Sequence, residues 1–271
     1  MNKIVDIGVW SLAAGYLLLI FPLAILLYQR VPILKDAGIA IVRMTVQLLF
    51  VGFYLQVVFR LNNPWLNLTW VAVMVGVADG SIIRNCKLSI RRFALPVFGA
   101  LLAGTAIPVL VFVGPILQRA NWLDAQYVIP LGGMVLGNCL RADIIGLRSF
   151  YESIVKNEKA YHQSLAQGAR LHEALHPYFR DALQAALLPT VASMATIGLV
   201  ALPGMMTGVI LAGADPLTAI KYQIAIMIAI FSGTAITVFL AIWLTVRGSF
   251  DALGILDRTI FRKKQPQRGP G

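Results

Sequence analysis

Charge is scarce in this sequence: only 13% of its 271 residues are Asp, Glu, Lys or Arg. A water-facing domain of this size needs a far larger charged surface. With a mean hydropathy of +0.77, that scarcity excludes an ordinary soluble protein. Cysteine is nearly missing too. Cys86 and Cys139 stand far apart and alone, which excludes a disulfide framework and leaves them as small packing residues. No G-x-x-x-x-G-K-[ST] loop occurs anywhere, so the chain has no phosphate cradle of that kind, and any ATP it consumes must bind elsewhere. Acidic residues number 12 against 23 basic ones, a net charge of +11. The basic residues fall in short segments between apolar runs, with no aromatic-interleaved basic face, so a nucleic-acid partner is not expected.

Apolar sequence is what the chain has in abundance. Seven stretches are long enough to cross a bilayer, near 7–28, 37–59, 66–84, 94–117, 127–147, 182–211 and 219–246, since a spanning helix needs about 20 apolar residues. The predicted fold class is therefore all-α, a polytopic integral membrane protein with about seven transmembrane helices embedded in the lipid bilayer. The first run follows Lys3 and Asp6, and no small-residue cleavage site follows it, so it reads as a retained span. The transmembrane domain is placed at 1–261, and the basic tail 262–271 reads as disordered.

Charge sets the expected orientation. With the N-terminus outside, the cytoplasmic segments hold 17 of the 23 basic residues, and the outside holds only Lys3, Arg60, Arg119 and Lys221. Arg43 and Arg141 fall within spans. This bias puts the N-terminus outside and the C-terminus in the cytoplasm. The longest hydrophilic connection, about 148–181, is then cytoplasmic. In it Phe150, Ile154, Tyr161, Leu165 and Ala169 recur at helical spacing, the pattern of an amphipathic helix. Such a helix either lies on the membrane surface or docks a cytosolic partner. Docking is the favoured reading, with Leu165, Gly168 and Ala169 at the contact, because Gly168 permits close approach and unusual backbone angles.

His172-Glu173-Ala174-Leu175-His176 matches H-E-x-x-H, which on one helix can hold zinc while the Glu activates water. Pro177 follows at once, disfavours helical geometry at His176 and would suit a helix beginning there, so the two His need not share a face. No third ligand is evident in the sequence. An intramembrane zinc hydrolase is retained as an alternative of another class, and the simpler reading is a solvated stretch at a helix end.

Polar residues inside spans are better guides, because each needs a partner within the bundle. Arg43 and Gln47 lie four residues apart in the second span and Asp79 lies in the third; an Arg43–Asp79 pair and snorkelling of both groups compete. Asn138 closes the Gly-rich stretch Ile129 to Asn138 of the fifth span, where small residues would allow close helix packing. The sixth span is expected to break at Pro203-Gly204, followed by Met205, Met206, Thr207 and Gly208. Freed carbonyls there need a partner that lipid cannot supply. Pro203, Gly204 and Gly208 are taken as a hinge. Met205 and Met206 are candidate ligands for a soft metal, although flexible packing is the commoner use of Met. The path proposed on these grounds runs along Arg43, Gln47, Asn138, Met205, Met206 and Thr207.

Together these residues carry a resemblance. Ile129-Pro130-Leu131-Gly132-Gly133-Met134 through Gly137-Asn138 is one block. Leu202 through Gly208, then Ala212-Gly213-Ala214-Asp215-Pro216 and Ala219-Ile220-Lys221-Tyr222-Gln223, is the other, and Arg43, Gln47 and Gly52 fit the second span. Over nearly its whole length the sequence resembles the FetB-type permeases of ABC transporters, bacterial iron-export subunits related to plant aluminium-tolerance permeases. The resemblance implies a transport subunit that is not itself an enzyme. It implies a permease homodimer in the cell inner or plasma membrane, working with a separate cytosolic ATPase that holds the ATP and Mg, with no cofactor on this chain. The cargo implied is iron or another metal leaving the cytoplasm; an organic solute such as a sugar nucleotide is the alternative. The family carries an acidic residue shortly before the loop glycine, where this chain has Gln163 before Gly168.

Overall fold

A computed structural model describes residues 8–118, 121–251 and 253–260. The expected basic tail 262–271 and the first residues of the chain lie outside them. Among the described residues the regular structure is helical. α1 (Val9–Tyr16) continues through one 3-10 turn into α2 (Ile20–Tyr28), and α3 spans Leu34–Leu61. α4 (Pro64–Asn85) and α5 (Ile90–Val111) follow, the latter ending in a π turn over Phe112–Ile116, then α6 (Ala125–Lys156), α7 (Glu158–Ala166) and α8 (Leu171–Thr196). α9 (Gly204–Leu211) and α10 (Pro216–Val246) complete the set. Six helical stretches are long and apolar enough to cross a membrane: Trp10–Tyr28, Leu34–Leu61, Pro64–Asn85, Ile90–Ile116, Ala125–Lys156 and Pro216–Val246.

Local chemistry explains where these helices begin. Asn63 caps α4 by accepting from the Trp65 N–H at 2.9 Å, with Pro64 at the first helical position. Asp124 caps α6 through the Gln126 N–H, 3.1 Å. Asp215 caps α10 through the Thr218 N–H, 2.9 Å, with Pro216 next in line. A short polar acceptor followed by proline satisfies a free N–H and presets the helical φ. The run of small residues before Asp215-Pro216 is thus a turn and a cap, with Gly213 at φ +90°.

The core lies between α4, α5, α6, α8 and α10, and α10 packs most extensively on α5 and α6. In lipid there is no hydrophobic drive between helices, so close approach depends on small residues. Here those are Gly104, Gly146 and Gly233. A Cβ on Gly233 would stand 2.6 Å from the Gly104 carbonyl oxygen, and one on Gly146 2.7 Å from Val238 Cγ1. The Gly-rich block of α6 was expected to serve this purpose. Of its glycines only Gly133 has a close neighbour, Met74 Cε at 3.3 Å; nothing stands within 4 Å of a Cβ at Gly132 or Gly137.

α3 stands apart from this core. It is tethered near one end, where Val58 packs with Ala125 and Ile129 and Tyr54 stacks on Trp70 at 4.0 Å between ring centres. Asn62 at the same end accepts from the Ala125 N–H, 3.0 Å, which joins the end of α3 to the start of α6. The opposite end of the bundle is tied by the C-terminal segment. Tyr151 bonds Ser249 at 2.7 Å, Tyr161 donates to the Gly254 carbonyl at 2.6 Å, and the Ser89 N–H donates to the Ile260 carbonyl at 2.8 Å. Arg92 pairs with Asp257, and Arg258 with Glu158 at 2.6 Å.

The expected long loop at 148–181 is mostly helix. α6 runs on to Lys156, and α8 already begins at Leu171. Its apolar stripe is real but turned inward. Phe150, Ile154 and Tyr161 are buried, and Leu165 and Ala169 pack against the same core. Most of it therefore packs on the chain's own core.

Candidate functional site

α6 is a wall between two cavities, because residues three and four apart share a helix face. Met134, Asn138, Arg141 and Ile145 face one of them. Gly133, Leu136, Gly137 and Leu140 face the other.

The first cavity, about 440 Å³, lies between α6, α8, α9 and α10. Its outer part is made by the break in the sixth apolar stretch. Helix stops at Thr196 and resumes at Gly204, so the interruption lies before Pro203-Gly204 rather than at it. Gly198, at φ +83°, takes the left-handed turn and was missed as a hinge candidate. Pro203 caps α9 in extended geometry and Gly204 opens that helix; both line the cavity with Met205. Among the polar lining groups, Asn138 donates to the Met134 carbonyl (2.8 Å) and Ser193 to the Pro189 carbonyl (2.9 Å). Thr196 likewise donates to the Ala192 carbonyl, 3.1 Å. The two hydroxyls have their proton committed within their own helix, Asn138 keeps one N–H free, and all three leave oxygen lone pairs over. Thr190, Gln223 and Arg141 add to the wall, which holds no carboxylate. Such a wall can offer a cation several neutral oxygens and the three thioethers of Met134, Met205 and Met227, and can offer an anion one guanidinium.

Several expected path residues are not brought together. Arg43 and Gln47 line the second cavity, about 940 Å³ between α3, α4 and α6, on the other face of α6 from Asn138. Met206 is buried and lines a third, apolar cavity with Met194, Ile224 and Ile228. Consecutive helix residues point about 100° apart, so Met205 and Met206 do not share the single soft site expected of them. Thr207 lines neither of the first two cavities; its hydroxyl donates to the Pro203 carbonyl, 3.1 Å. A Cβ at Gly204 or Gly208 would meet nothing within 4 Å, so among the described residues no helix closes on the supposed hinge. The Arg43–Asp79 pair is not formed either. Asp79 is buried with Oδ1 unpartnered, while Arg43 stands exposed in its cavity.

Asp143 went unnoticed in the sequence, although an acid inside the fifth apolar run could have flagged it. It is fully buried, accepts from the Thr237 hydroxyl at 2.8 Å through Oδ2, and has no partner at Oδ1.

At the end of the bundle tied by the C-terminal segment, the α7–α8 turn presents Gly168 at φ +94° and exposed, with open space around it. Leu165 lies 3.2 Å from where a Cβ on Gly254 would be, so it packs inward, as does Ala169. Of the three expected docking residues, Gly168 alone faces out. His172 and His176 share one helix, since α8 runs through Pro177. Both are exposed. Glu173 accepts from the Arg170 N–H at 2.8 Å, closing the first turn of α8. Among the described residues no group of three or more His, Cys, Asp or Glu side chains is placed to hold a metal.

Comparison with known proteins supplies the context for this geometry. The chain is 31% identical over 254 residues to the probable iron export permease protein FetB of Escherichia coli, covering 94% of this chain and 96% of that one. It is 39% identical over 192 residues to the UPF0014 membrane protein slr1647 of Synechocystis, covering 69% and 73% of the two chains. Protein ALUMINUM SENSITIVE 3 of Arabidopsis thaliana is 29% identical, over 81% of this chain and 79% of its own. No solved structure matches. The model of the uncharacterised protein family UPF0014 matches residues 9–250, and the chain belongs to that family of membrane proteins.

Proposed function

We propose that this chain is the membrane-spanning subunit of an ATP-driven permease that moves iron or another metal ion out of the cytoplasm through the cavity beside α9. The observation that carries the reading is the interrupted segment between Thr196 and Gly204. Irregular backbone at membrane depth is tolerated where it lines a cavity or is buried in protein, and broken helices recur at transport sites. A wall of neutral oxygens and three thioethers with no carboxylate binds a cation weakly, and weak binding suits passage better than storage. The Escherichia coli relative's name carries the metal and the direction.

The chain is expected to cross the membrane seven times. α6 and α10 end at the same face, joined by Tyr151 and Ser249, so α8 with α9 must carry the chain back across between them. The excess of basic residues at that face makes it cytoplasmic, with the N-terminus outside and the protein in the inner or plasma membrane. The sequence has no phosphate-binding loop, so the energy comes from a separate cytosolic ATPase, which docks at the α7–α8 turn around Gly168. A homodimer of the permease with two ATPases is the expected assembly.

Arg141 favours a second reading. A guanidinium on the cavity wall repels a bare dication and attracts an organic anion such as a sugar nucleotide. The test is the purified complex in lipid, with ATP hydrolysis measured against a panel of metals and against sugar nucleotides. Stimulation by iron supports export of the metal; stimulation only by the nucleotides replaces the first reading with the second.

A further inference from the structure

We propose that the cavity between α3, α4 and α6 is a binding site for an anionic phospholipid, with Arg43 and Arg84 holding the headgroup phosphate. The two guanidiniums line one cavity, and neither forms an ion pair with any described residue. Gln47 and Ser81 add neutral polar groups to the same wall, and no carboxylate lines it. An uncompensated cation within a span, as Arg43 is, is costly unless an anion meets it, and Arg84 beside it adds to the pull on that anion.

The shape of the cavity selects a lipid over a soluble anion. Phe50, Val77, Leu136 and Leu140 make most of its remaining wall apolar, which suits an acyl chain. α3 is held to the core near its far end, by Val58 and Tyr54, so the cavity opens sideways where α3 starts. Among the described residues nothing buries the apolar window of α3, so bilayer lipid has access to it. Arg84 is the second-last residue of α4 and therefore stands near the membrane–water boundary. Arg43 is nine residues into α3, about 13 Å along the axis, a depth from which a long arginine side chain can extend toward the interface. Gly133 and Gly137 form the floor and keep it open. A second copy of the chain is a poorer occupant. The acids deep within its spanning helices, Asp79 and Asp143, are both buried in its own core and cannot answer the arginines. Basic pockets between spanning helices bind acidic headgroups on this principle.

The test is native mass spectrometry of the delipidated full chain, titrated with phosphatidylglycerol or phosphatidylcholine, with inorganic phosphate as the soluble competitor. Phosphatidylglycerol should bind in preference. Arg43→Gln and Arg84→Gln should each weaken it about fivefold and the pair about thirtyfold. Arg60→Gln, on the far end of α3, should leave it unchanged. Gly137→Leu, whose side chain enters open space, should weaken it with both arginines intact. Equal binding of the two lipids, or arginine variants that bind like the wild type, would overturn the site. Displacement of phosphatidylglycerol by millimolar inorganic phosphate would overturn the lipid and leave a soluble anion in its place.

Discussion

Where α5 crosses α10, a Cβ built on Gly104 would stand 2.6 Å from Thr237 Cβ and 2.9 Å from the Gly233 carbonyl oxygen. Ordinary carbon contacts lie at about 3.5–4.0 Å, so Gly104→Ala overlaps its neighbours by about 1 Å. Neither neighbour can rotate away, because a Cβ and a carbonyl move only with the backbone of α10. Moving α10 would also strain the 2.8 Å bond from Thr237 to Asp143, whose other oxygen already lacks a partner. Overpacking of this kind costs about 1–3 kcal/mol, and the helix preference of Ala over Gly returns up to about 1 kcal/mol. A net loss of about 1–2 kcal/mol lowers the unfolding midpoint by about 2–8 °C in a chain of this size. Gly99 is the matched control, on the same helix with nothing within 4 Å; Gly99→Ala should leave the midpoint unchanged or slightly raised. Both variants would be compared by thermal unfolding in the same lipid nanodiscs. A Gly104→Ala protein as stable as Gly99→Ala would refute the close α5–α10 crossing.

Three further outcomes are expected. Gly168→Trp puts a large side chain at a positive-φ position on the exposed turn, so it should uncouple ATP hydrolysis from transport with the spans intact; normal coupling would show that the ATPase docks elsewhere. Hydrogen bonds from Thr259 and then Arg92 draw the Asp257 pKa from 3.8 down to about 2. Their stabilisation of the C-terminal clasp is therefore present above about pH 4 and lost as the pH falls through 2. In hydrogen exchange, Asp257→Asn should loosen residues 249–260 at neutral pH and match the wild type near pH 2; equal protection at neutral pH refutes the clasp. Met205→Leu should reduce metal export several-fold while Met206→Leu does not, since volume is kept and only Met205→Leu removes a sulfur from the wall that Met134 and Met227 also line; equal export by both variants in a metal flux assay would assign both residues to packing.

Much of the architecture was legible in the sequence, because the features concerned are local. A run of about 20 apolar residues must be helical in lipid, where every backbone group needs an internal partner. The interruption near Pro203 was visible for the same reason, though its left-handed turn at Gly198 was not. The caps at Asn63, Asp124 and Asp215, whose bonds reach no further than three residues along the chain, were not read in the sequence and came from the structure. Tertiary structure alone decided which polar residues share a space. Arg43 and Asn138 are both polar groups within spans, yet α6 stands between their cavities. Met205 and Met206 are adjacent in sequence and divergent in space. The stripe from Phe150 to Ala169 has the period of an amphipathic helix, and a period states that a face is apolar without stating what covers it; here the chain's own core does. Lipid and protein interior are equally apolar, so composition cannot tell a lipid-facing glycine such as Gly99 from Gly104 at a helix crossing. Only the neighbouring helix, arriving at 2.6 Å, separates them.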